Sequence, residues 1–337
     1  MAILMKPPLP ILSDARWAGP HGIGRFAHEV LRRLPEHHRL EKGPRPFSPA
    51  GPLWLTAQVL WRRPPVFFSP GFNPPPLCFT PFVFTIHDLI QVHHPEVATP
   101  LKRAYYELIL KPCCRRAARV LTVSEYSRAQ IVEWSGIPEQ RVVNVGNGVG
   151  PPFQPAGPRY EPGFQYILYV GNFRPHKNLG RLFEAFRRLK WPDLRLLLAG
   201  PPNREASAQL RKLGIQGRTT LLTGLSDDEL ACVYRGASLL ALPSLIEGFG
   251  LPALEAMACG TPVVVSRATA LPEVVGEAGV YADPLDVADI AKAMECVLGD
   301  GDLRAAMRAL GIERARQFSW DTVAARVWSV LEEARRH

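Results

Sequence analysis

The second half of the chain alternates short apolar runs with amphipathic stretches. Five apolar runs bounded by glycine, proline or polar residues are typical of buried strands: YILYV (166–170), LRLLLAG (194–200), TTLLTG (219–224), LLALPS (239–244) and TPVVVS (261–266). Stretches of helical periodicity separate them, such as LGRLFEAFRRL (179–189), in which Leu182, Phe183 and Phe186 share one face. Successive strand–helix units of this length predict an α/β domain with a doubly wound parallel sheet, whose ligand-binding loops lie along one edge.

The first half is less regular and is dense in proline between residues 43 and 81, which predicts short helices there. Three later stretches are typical of a strand leading into a loop, and a fourth is typical of a helix: PFVFTIHDLI (81–90), RVLTVSEYS (119–127), RVVNVGNGV (141–149) and AYYELILKPCCRRAA (104–118). The stretch 148–163, rich in proline and glycine, is the candidate linker. We therefore expect a smaller first α/β domain over 1–155, a second domain over 156–318, and a helix over 319–337 that packs back toward the first domain.

Length and composition fit this organisation. A chain of 337 residues that is 47% hydrophobic and 21% charged is typical of a globular protein of two domains, which excludes wholesale disorder and a fibrous repeat. The formal net charge of +9 is uneven, because residues 1–155 hold 18 lysines and arginines against 10 acidic residues, and residues 156–337 hold 22 against 21. The basic first half indicates an anionic partner, which is nucleic acid, an acidic membrane surface or a phosphorylated substrate.

Several function classes find no support in the sequence. The six cysteines show no CxxC spacing and no signal peptide precedes them, so we expect a reducing, cytoplasmic environment. The GxxxxGK[ST] phosphate loop, the HExxH zinc motif and the GxSxG elbow do not occur, so neither a metal nor a cofactor is expected. The sequence also lacks recognisable nucleic-acid-binding modules, which argues against a nucleic-acid partner.

The segment 240–262, LALPSLIEGFGLPALEAMACGTP, holds the clearest candidate chemistry. A strand ends in this segment, and Gly248 and Gly250 in the following loop let the backbone approach a ligand closely. The next helix has free N–H groups at its start, which form an anion site. Glu247 and Glu255 flank the turn with seven residues between them, so both carboxylates are placed to accept hydrogen bonds from a hydroxylated, phosphate-bearing ligand.

This segment resembles the signature of glycosyltransferase family 4, whose members are retaining enzymes of the GT-B fold that use nucleotide-sugar donors. The resemblance extends over roughly residues 165–300, through YVGNFRPHKNL, LLTGLSDDELACVYRGA and TALPEVVGEAGVYADP. In the first half it is thinner and rests on GIGRFAHEV, TIHDL, TVSEYSR and NVGNGV. The resemblance implies an α/β fold with two Rossmann-like, doubly wound parallel-sheet domains that face a central cleft.

The resemblance also implies roles for residues of the signature. Glu247 opens the family's E-x7-E pattern and would hydrogen-bond the donor sugar near the reacting carbon, which makes it a candidate catalytic residue. Glu255 closes the pattern and would accept hydrogen bonds from the ribose hydroxyls. Phe249, Gly250 and Leu251 would present backbone groups to the nucleotide.

Two loops supply the candidate partners of the donor diphosphate. Arg174 and Lys177 lie between a buried strand and an amphipathic helix, where two cations and free amides converge on one anion. Many family members have an arginine where this chain has Asn172, so Asn172 belongs to the same candidate donor-binding loop. The turn GIGRFA matches the family's glycine-rich turn, which places Gly22 and Gly24 near the diphosphate, with a plain helix start as the alternative.

The pair His87 and Asp88 directly follows an apolar strand. By resemblance the pair belongs to the loop that faces the transferred sugar, so both are candidate catalytic residues, with His87 orienting the sugar and Asp88 holding a ring nitrogen of His87. A packed, hydrogen-bonded histidine is the alternative. The family is thought to react on one face of the donor, with the leaving phosphate helping to deprotonate the acceptor, so no covalent intermediate is implied.

These observations predict a hexosyltransferase that uses a GDP- or UDP-linked sugar, with GDP-mannose preferred because GIGRFAHEV and GNFRPHKNL resemble enzymes of bacterial surface polysaccharides. The expected acceptor is a polysaccharide or lipid-linked glycan. The basic first half further predicts peripheral contact with the anionic inner face of the cell membrane. Two alternatives stay open: a phosphorylase or epimerase with the same two-domain fold, and a catalytically silent sugar-nucleotide binder.

Overall fold

A computed structural model of the chain describes residues 11–19, 21–46, 48, 50–94 and 98–336. The chain divides into two units: unit 1 runs to Gly148 and resumes at Trp320, and unit 2 is Val149–Ser319. Each unit has its own six-stranded sheet. The stretch 148–163 lies almost wholly in unit 2, where the Arg235 guanidinium donates to the carbonyl of Pro158 (2.6 Å).

The sheet of unit 1 is parallel throughout. Its strands are β1 (Leu12–Asp14), β2 (His38–Leu40), β3 (Phe67–Ser69), β4 (Phe82–Thr85), β5 (Arg119–Thr122) and β6 (Val142–Asn144). Their order is β2-β1-β3-β4-β5-β6, with Ser13 opposite Arg39 on one side and Phe68 on the other. The strand order reverses between β1 and β3, and ligands of such folds bind at this kind of switch point, outside the carboxyl ends of the strands.

The helices of unit 1 connect these strands. They are α1 (Gly22–Leu31), α2 (Gly51–Arg62), α3 (Ile90–His93), α4 (Pro100–Tyr105), α5 (Lys111–Arg116) and α6 (Glu125–Ser135), and a π-helical segment, Tyr106–Leu110, joins α4 to α5. The expectation of short helices between residues 43 and 81 is wrong for α2, which has 12 residues. Pro52 lies in its first turn, where no backbone N–H is needed, and Pro64 follows its end, so the prolines bound the helix without breaking it.

The sheet of unit 2 is parallel as well. Its strands are β7 (Tyr166–Val170), β8 (Arg195–Ala199), β9 (Thr219–Leu222), β10 (Leu239–Leu242), β11 (Val263–Ser266) and β12 (Gly279–Ala282). The order β12-β11-β10-β7-β8-β9 is that of a Rossmann fold, and its switch point lies between β7 and β10, where Leu168 pairs with Leu240. The parallel α/β fold of both units is confirmed.

Seven helices of unit 2 cover this sheet. They are α7 (Leu179–Arg188), α8 (Arg204–Lys212), α9 (Asp227–Gly236), α10 (Leu251–Ala258), α11 (Leu271–Val275), α12 (Val287–Gly299) and α13 (Gly301–Ala315). A capping box begins α9, because Ser226 Oγ accepts from the Glu229 N–H while the Glu229 carboxylate accepts from the Ser226 N–H.

The last helix, α14 (Trp320–Arg336), belongs to unit 1 and packs on α1, β4 and β5. Its first residue, Trp320, lies edge-on to Phe26 of α1, with ring centroids 6.4 Å apart. Arg33 of α1 pairs with Asp321 at 2.6 Å. The first strand and the last helix of the described residues therefore belong to the same unit.

Candidate functional site

The switch point of unit 2 brings together two loops, one after β7 and one after β10. Asn178 ties them: its side-chain amide donates to the carbonyls of Pro243 (2.9 Å) and Pro284 (2.7 Å). The backbone supports the same contact, since the Leu245 N–H donates to the carbonyl of His176 (2.8 Å). Asn178 has φ = 61°, a left-handed conformation that asparagine tolerates better than most residues, and α7 begins at the next position.

An ion pair joins these loops. Lys177 Nζ lies 2.7 Å from Glu247 Oε1 and 2.9 Å from Oε2, and the two side chains are 14% and 8% exposed. Ser244 Oγ donates to Glu247 Oε1 (2.7 Å), and the Glu247 N–H donates to Thr269 Oγ1 (3.0 Å). Two residues that the resemblance assigns to different parts of the donor are thus in direct contact. Ser244 and Thr269 were missed as members of the site, although Ser244 is the last residue of the run LLALPS.

Tyr169 supports this centre from within β7. Burial, and next the nearby Glu247 carboxylate, raise the pKa of Tyr169 well above its usual value, so the phenol stays neutral at all physiological pH values. Its hydroxyl donates to the Asn172 carbonyl at 2.7 Å. The loop that carries Lys177 is therefore fixed at its start as well as its end.

Glu255 lies on α10 and is buried, with 5% of its surface exposed. The Tyr234 hydroxyl of α9 donates to its Oε2 (3.0 Å). α10 starts after Gly250, whose φ of 105° requires glycine and whose Cα faces Leu271 so closely that a Cβ would lie 2.6 Å from Leu271 Cδ2. The start of α10 is thus tightly packed.

The neighbours of Gly250 in the signature differ in exposure. Leu251, the first residue of α10, is half-buried. Phe249 is buried and lies edge-on to Phe318, with ring centroids 5.9 Å apart. The Phe249 side chain is therefore part of the unit 2 core.

Asn172 and Arg174 are exposed members of the loop after β7. The Arg174 N–H donates to Asn172 Oδ1 (3.3 Å), so Asn172 shapes the loop locally. Arg174 lines a cavity of about 520 Å³ between α7 and α8, together with Asn178, Arg181, Asn203 and Gln209 among others, and neither Lys177 nor Glu247 is among its lining residues. Of the two predicted cations, Lys177 alone contacts a predicted carboxylate within the described residues.

In unit 1, Gly22 and Gly24 lie in the first turn of α1. His21 caps the helix, because its Nδ1 accepts from the Gly24 N–H (2.8 Å). A Cβ at position 24 would lie 2.2 Å from the Gly19 carbonyl oxygen, so Gly24 must be glycine for the helix to start against this backbone. The glycine pattern therefore has a structural reason that holds without any ligand.

His87 follows β4 and is buried. Its Nε2 donates to the carbonyl of Pro70 (2.9 Å), since a carbonyl oxygen only accepts. Asp88, expected to hold a ring nitrogen of His87, instead accepts from the Ile90 N–H through Oδ1 (3.1 Å). Pro70, the hydrogen-bond partner of His87, lies in the loop after β3 and reaches His87 because β3 and β4 are adjacent parallel strands.

The environment keeps His87 neutral. Burial lowers the pKa of His87 to about 4, against a smaller opposing effect of the Pro70 carbonyl and a further lowering by His21. The ring also packs edge-on against Phe26, with centroids 4.9 Å apart. At neutral pH this imidazole is a fixed hydrogen-bonding group that carries no charge.

The lowered pKa of His87 predicts a pH dependence of stability. Between pH 6.5 and about 4 the unfolded chain binds a proton at His87 that the folded chain does not, so the free energy of unfolding should fall by about 3 kcal/mol as the pH decreases through this window. In urea unfolding measured at several pH values, His87→Gln should show a smaller decrease of the free energy of unfolding between pH 6.5 and about 4. His28→Gln, at an exposed position of α1, should show the same decrease as the wild type. Equal slopes in wild type and His87→Gln would contradict a neutral buried His87.

Neither a metal cluster nor a membrane span is found in the parts of the chain that the structure describes. No group of three or more His, Cys, Asp or Glu side chains there is arranged to hold a metal ion. No helix among the described residues is long and apolar enough to cross a membrane. The two aspartates of the metal-binding type of spacing Asp-x-Asp occur at Asp300 and Asp302, where Asp300 caps α13 by accepting from the Leu303 N–H (2.9 Å).

Comparison of the sequence with known protein families and proteins identifies the family to which the chain belongs. The family "Glycosyl transferases group 1" matches residues 155–314, and "Glycosyltransferase Family 4" matches residues 15–151. The O-antigen chain mannosyltransferase B of Escherichia coli is 35% identical over 257 residues, which are 71% of this chain and 67% of that protein. The chain belongs to glycosyltransferase family 4 and is a hexosyltransferase.

Two further relatives carry similar names. The MMP alpha-(1->4)-mannosyltransferase of Mycolicibacterium hassiacum is 36% identical over 267 residues, 72% of this chain and 64% of that protein. The serotype-specific mannosyltransferase WbdA of Escherichia coli is 30% identical over 262 residues, 72% of this chain. The chain spans only 32% of the length of WbdA.

Solved structures confirm the GT-B fold. Anabaena HepE in complex with UDP and glucose superposes with a TM-score of 0.78 at 19% identity, over 96% of this chain and 99% of that one. Sucrose-phosphate synthase from Thermosynechococcus elongatus gives a TM-score of 0.76 at 21% identity, over 96% and 98%. The family match and the mannosyltransferase relatives favour a glycosyltransferase over a phosphorylase, an epimerase or a silent binder.

Proposed function

We propose that the chain transfers mannose, with retention, from GDP-mannose to a hydroxyl group of a glycan. The observation that supports this most is the Lys177–Glu247 pair at the switch point of unit 2, where a dinucleotide-like donor binds in folds of this order. The names of the three relatives described above support mannose as the sugar.

In the proposed reaction the bond between the sugar C1 and the diphosphate oxygen breaks, and a bond from C1 to the acceptor oxygen forms on the same face. The acceptor proton goes to the leaving phosphate. Lys177 stabilises the negative charge that builds on this phosphate, and fixed donors of this kind are worth on the order of 3 kcal/mol each. Glu247 hydrogen-bonds the sugar hydroxyls, and Glu255 accepts from the ribose diol.

The remaining candidates complete this proposal. Arg174 and the backbone of Asn172 and Gly250 would contact the nucleotide. In unit 1, His87 would orient the sugar as a neutral hydrogen-bonding group, and Asp88 would fix the loop that carries it. Because the sequence shows no zinc or phosphate-loop motif, we propose that transfer needs neither a bound metal nor a cofactor beyond the donor.

The acceptor we propose is a lipid-linked or polysaccharide glycan at the cytoplasmic face of the membrane. Support comes from the excess of eight positive charges in residues 1–155, where 18 basic residues stand against 10 acidic ones. An anionic bilayer attracts such a surface. The absence of nucleic-acid-binding modules argues against the rival anionic partner.

The donor is tested by incubating the protein with GDP-mannose, UDP-glucose and UDP-GlcNAc, and measuring release of the nucleoside diphosphate and the thermal shift. We expect release and stabilisation with GDP-mannose above the others. Preference for a UDP-sugar would overturn the choice of donor, and no response to any nucleotide or nucleotide sugar would overturn the function. Formation of mannose 1-phosphate from orthophosphate and a mannose-containing glycan would instead identify a phosphorylase.

A further inference from the structure

Helix α2 presents an apolar side to solvent. Leu53, Leu60 and Trp61 are 63%, 47% and 75% exposed, and Ala57 between them is exposed as well. Helical spacing places these four residues on one face, while the opposite face packs into the unit 1 core. The solvent-facing side of a helix in a globular protein is ordinarily polar. The apolar face of α2 is therefore unusual for a surface that contacts only water.

The apolar area continues onto the loop between β3 and β4. The Leu77 N–H donates to Thr56 Oγ1 of α2 (3.5 Å). Thr56 lies three residues after Leu53 and four before Leu60, which places it at the edge of the apolar face of α2. Leu77 is 63% exposed, and Phe79 in the same loop is 98% exposed. We call the six side chains of this area the apolar surface: Leu53, Ala57, Leu60, Trp61, Leu77 and Phe79.

Positive charge borders the apolar surface. The sequence from residue 42 to residue 87 contains no Asp or Glu, but contains Lys42, Arg45, Arg62 and Arg63. The Arg62 guanidinium stacks on the Trp61 ring, 4.9 Å from its centroid.

Two further contacts bring cations to other sides of the area. The segment that carries Lys42 and Arg45 lies against α2, since a Cβ at Gly43 would be 2.7 Å from the Trp54 ring. On the loop side, the exposed Arg116 donates to the carbonyls of Pro76 and Cys78 (3.0 Å for Cys78), on either side of Leu77. Cations therefore flank the apolar surface at the end of α2, along α2 and beside the loop.

We propose that the apolar surface docks unit 1 onto an anionic lipid bilayer. Leucine, phenylalanine and tryptophan side chains enter the boundary between headgroups and acyl chains, and surrounding arginines and lysines bind anionic headgroups. Arg62 stacked on the exposed Trp61 is suited to this boundary, because each side chain has an apolar part that contacts acyl chains and a polar part that contacts water or headgroups. This inference rests on the proposed membrane attachment and locates it, but it does not depend on the donor chemistry.

Co-sedimentation with vesicles tests the proposal on the full chain. The wild type should bind vesicles of phosphatidylcholine mixed with phosphatidylglycerol, weaken at high salt, and bind pure phosphatidylcholine poorly. Leu60→Ser/Trp61→Ser should lower the affinity by at least about tenfold. Arg62→Gln/Arg63→Gln should lower it by about tenfold at low salt and flatten its salt dependence.

Matched variants in unit 2 control for general effects. Leu310→Ser replaces a leucine on α13 that is 51% exposed, and Arg187→Gln/Arg188→Gln neutralises an exposed arginine pair at the end of α7. Both should bind vesicles as the wild type does, and all variants should keep wild-type circular dichroism and wild-type donor hydrolysis without vesicles.

Three results would overturn the proposal: equal vesicle binding by the wild type and Leu60→Ser/Trp61→Ser, no binding by the wild type, or a concentration-dependent dimer that Leu60→Ser/Trp61→Ser dissociates. The last would assign the apolar surface to a second copy of the chain. Because donor hydrolysis is measured separately, failure of the docking site is distinguished from failure of the glycosyltransferase.

Discussion

Replacing Glu247 by glutamine should lower kcat of sugar transfer by on the order of 10³-fold. The carboxylate is held rigidly by Ser244 Oγ (2.7 Å) and lies at the switch point of unit 2. A fixed negative charge near the reacting carbon favours the positive charge that the sugar ring develops as the leaving group departs, and glutamine keeps the shape but removes the charge. Initial rates of transfer at saturating donor measure the effect.

The control for this prediction is Glu277→Gln, which removes an exposed carboxylate from the same unit. It should leave kcat unchanged. If Glu247→Gln retained more than about a tenth of the wild-type kcat while folding normally, the role of Glu247 in the chemical step would be refuted.

Lys177→Met should lower both donor affinity and stability. The Nζ atom that now contacts both oxygens of Glu247 is the cation we assign to the donor diphosphate, so its loss should weaken GDP-mannose binding by about 10- to 100-fold. The free energy of unfolding should also fall by about 3 kcal/mol, because a carboxylate that is 8% exposed loses its only ion-pair partner among the described residues.

The double variant Lys177→Met/Glu247→Gln separates the two effects. Removing the charge of Glu247 as well should restore much of the lost stability, since no unpaired charge remains buried. It should not restore donor affinity. Titration calorimetry with GDP and urea unfolding provide the two readouts, with Lys190→Met, at an exposed position, as the control. Recovery of donor affinity in the double variant would show that Lys177 acts only as a structural partner of Glu247.

Four strands of unit 2, β7, β8, β10 and β11, could be predicted because they are buried on both faces. Such strands are continuous apolar runs, and YILYV gave β7 with its bounds, Tyr166–Val170. In unit 1, β1 and β3 have three residues each and lie among prolines and polar turns, so no run long enough to detect exists there. The 12-residue helix α2 was missed for a related reason, since its prolines bound it and were mistaken for breakers.

The candidate site was predicted in its position and not in its contacts. Loops after parallel strands meet at one sheet edge, so the sequence alone predicts that Lys177 and Glu247 lie in the same region. Their direct contact is supported by the hydrogen bond from the Asn178 side chain in one loop to the Pro243 carbonyl in the other. These two residues are 65 positions apart in the sequence, so no local pattern predicts the bond. The Pro70 partner of His87 is equally non-local, because it follows from the pairing of β3 with β4.

A structure of the protein with bound GDP-mannose tests the central claim most directly. Lys177 Nζ should have left Glu247 for an oxygen of the diphosphate, Glu247 should accept from hydroxyl groups of the sugar, and Glu255 should accept from the ribose. If the nucleotide lay instead in the cavity between α7 and α8, with the Lys177–Glu247 pair intact, the assignment of the donor site would be contradicted.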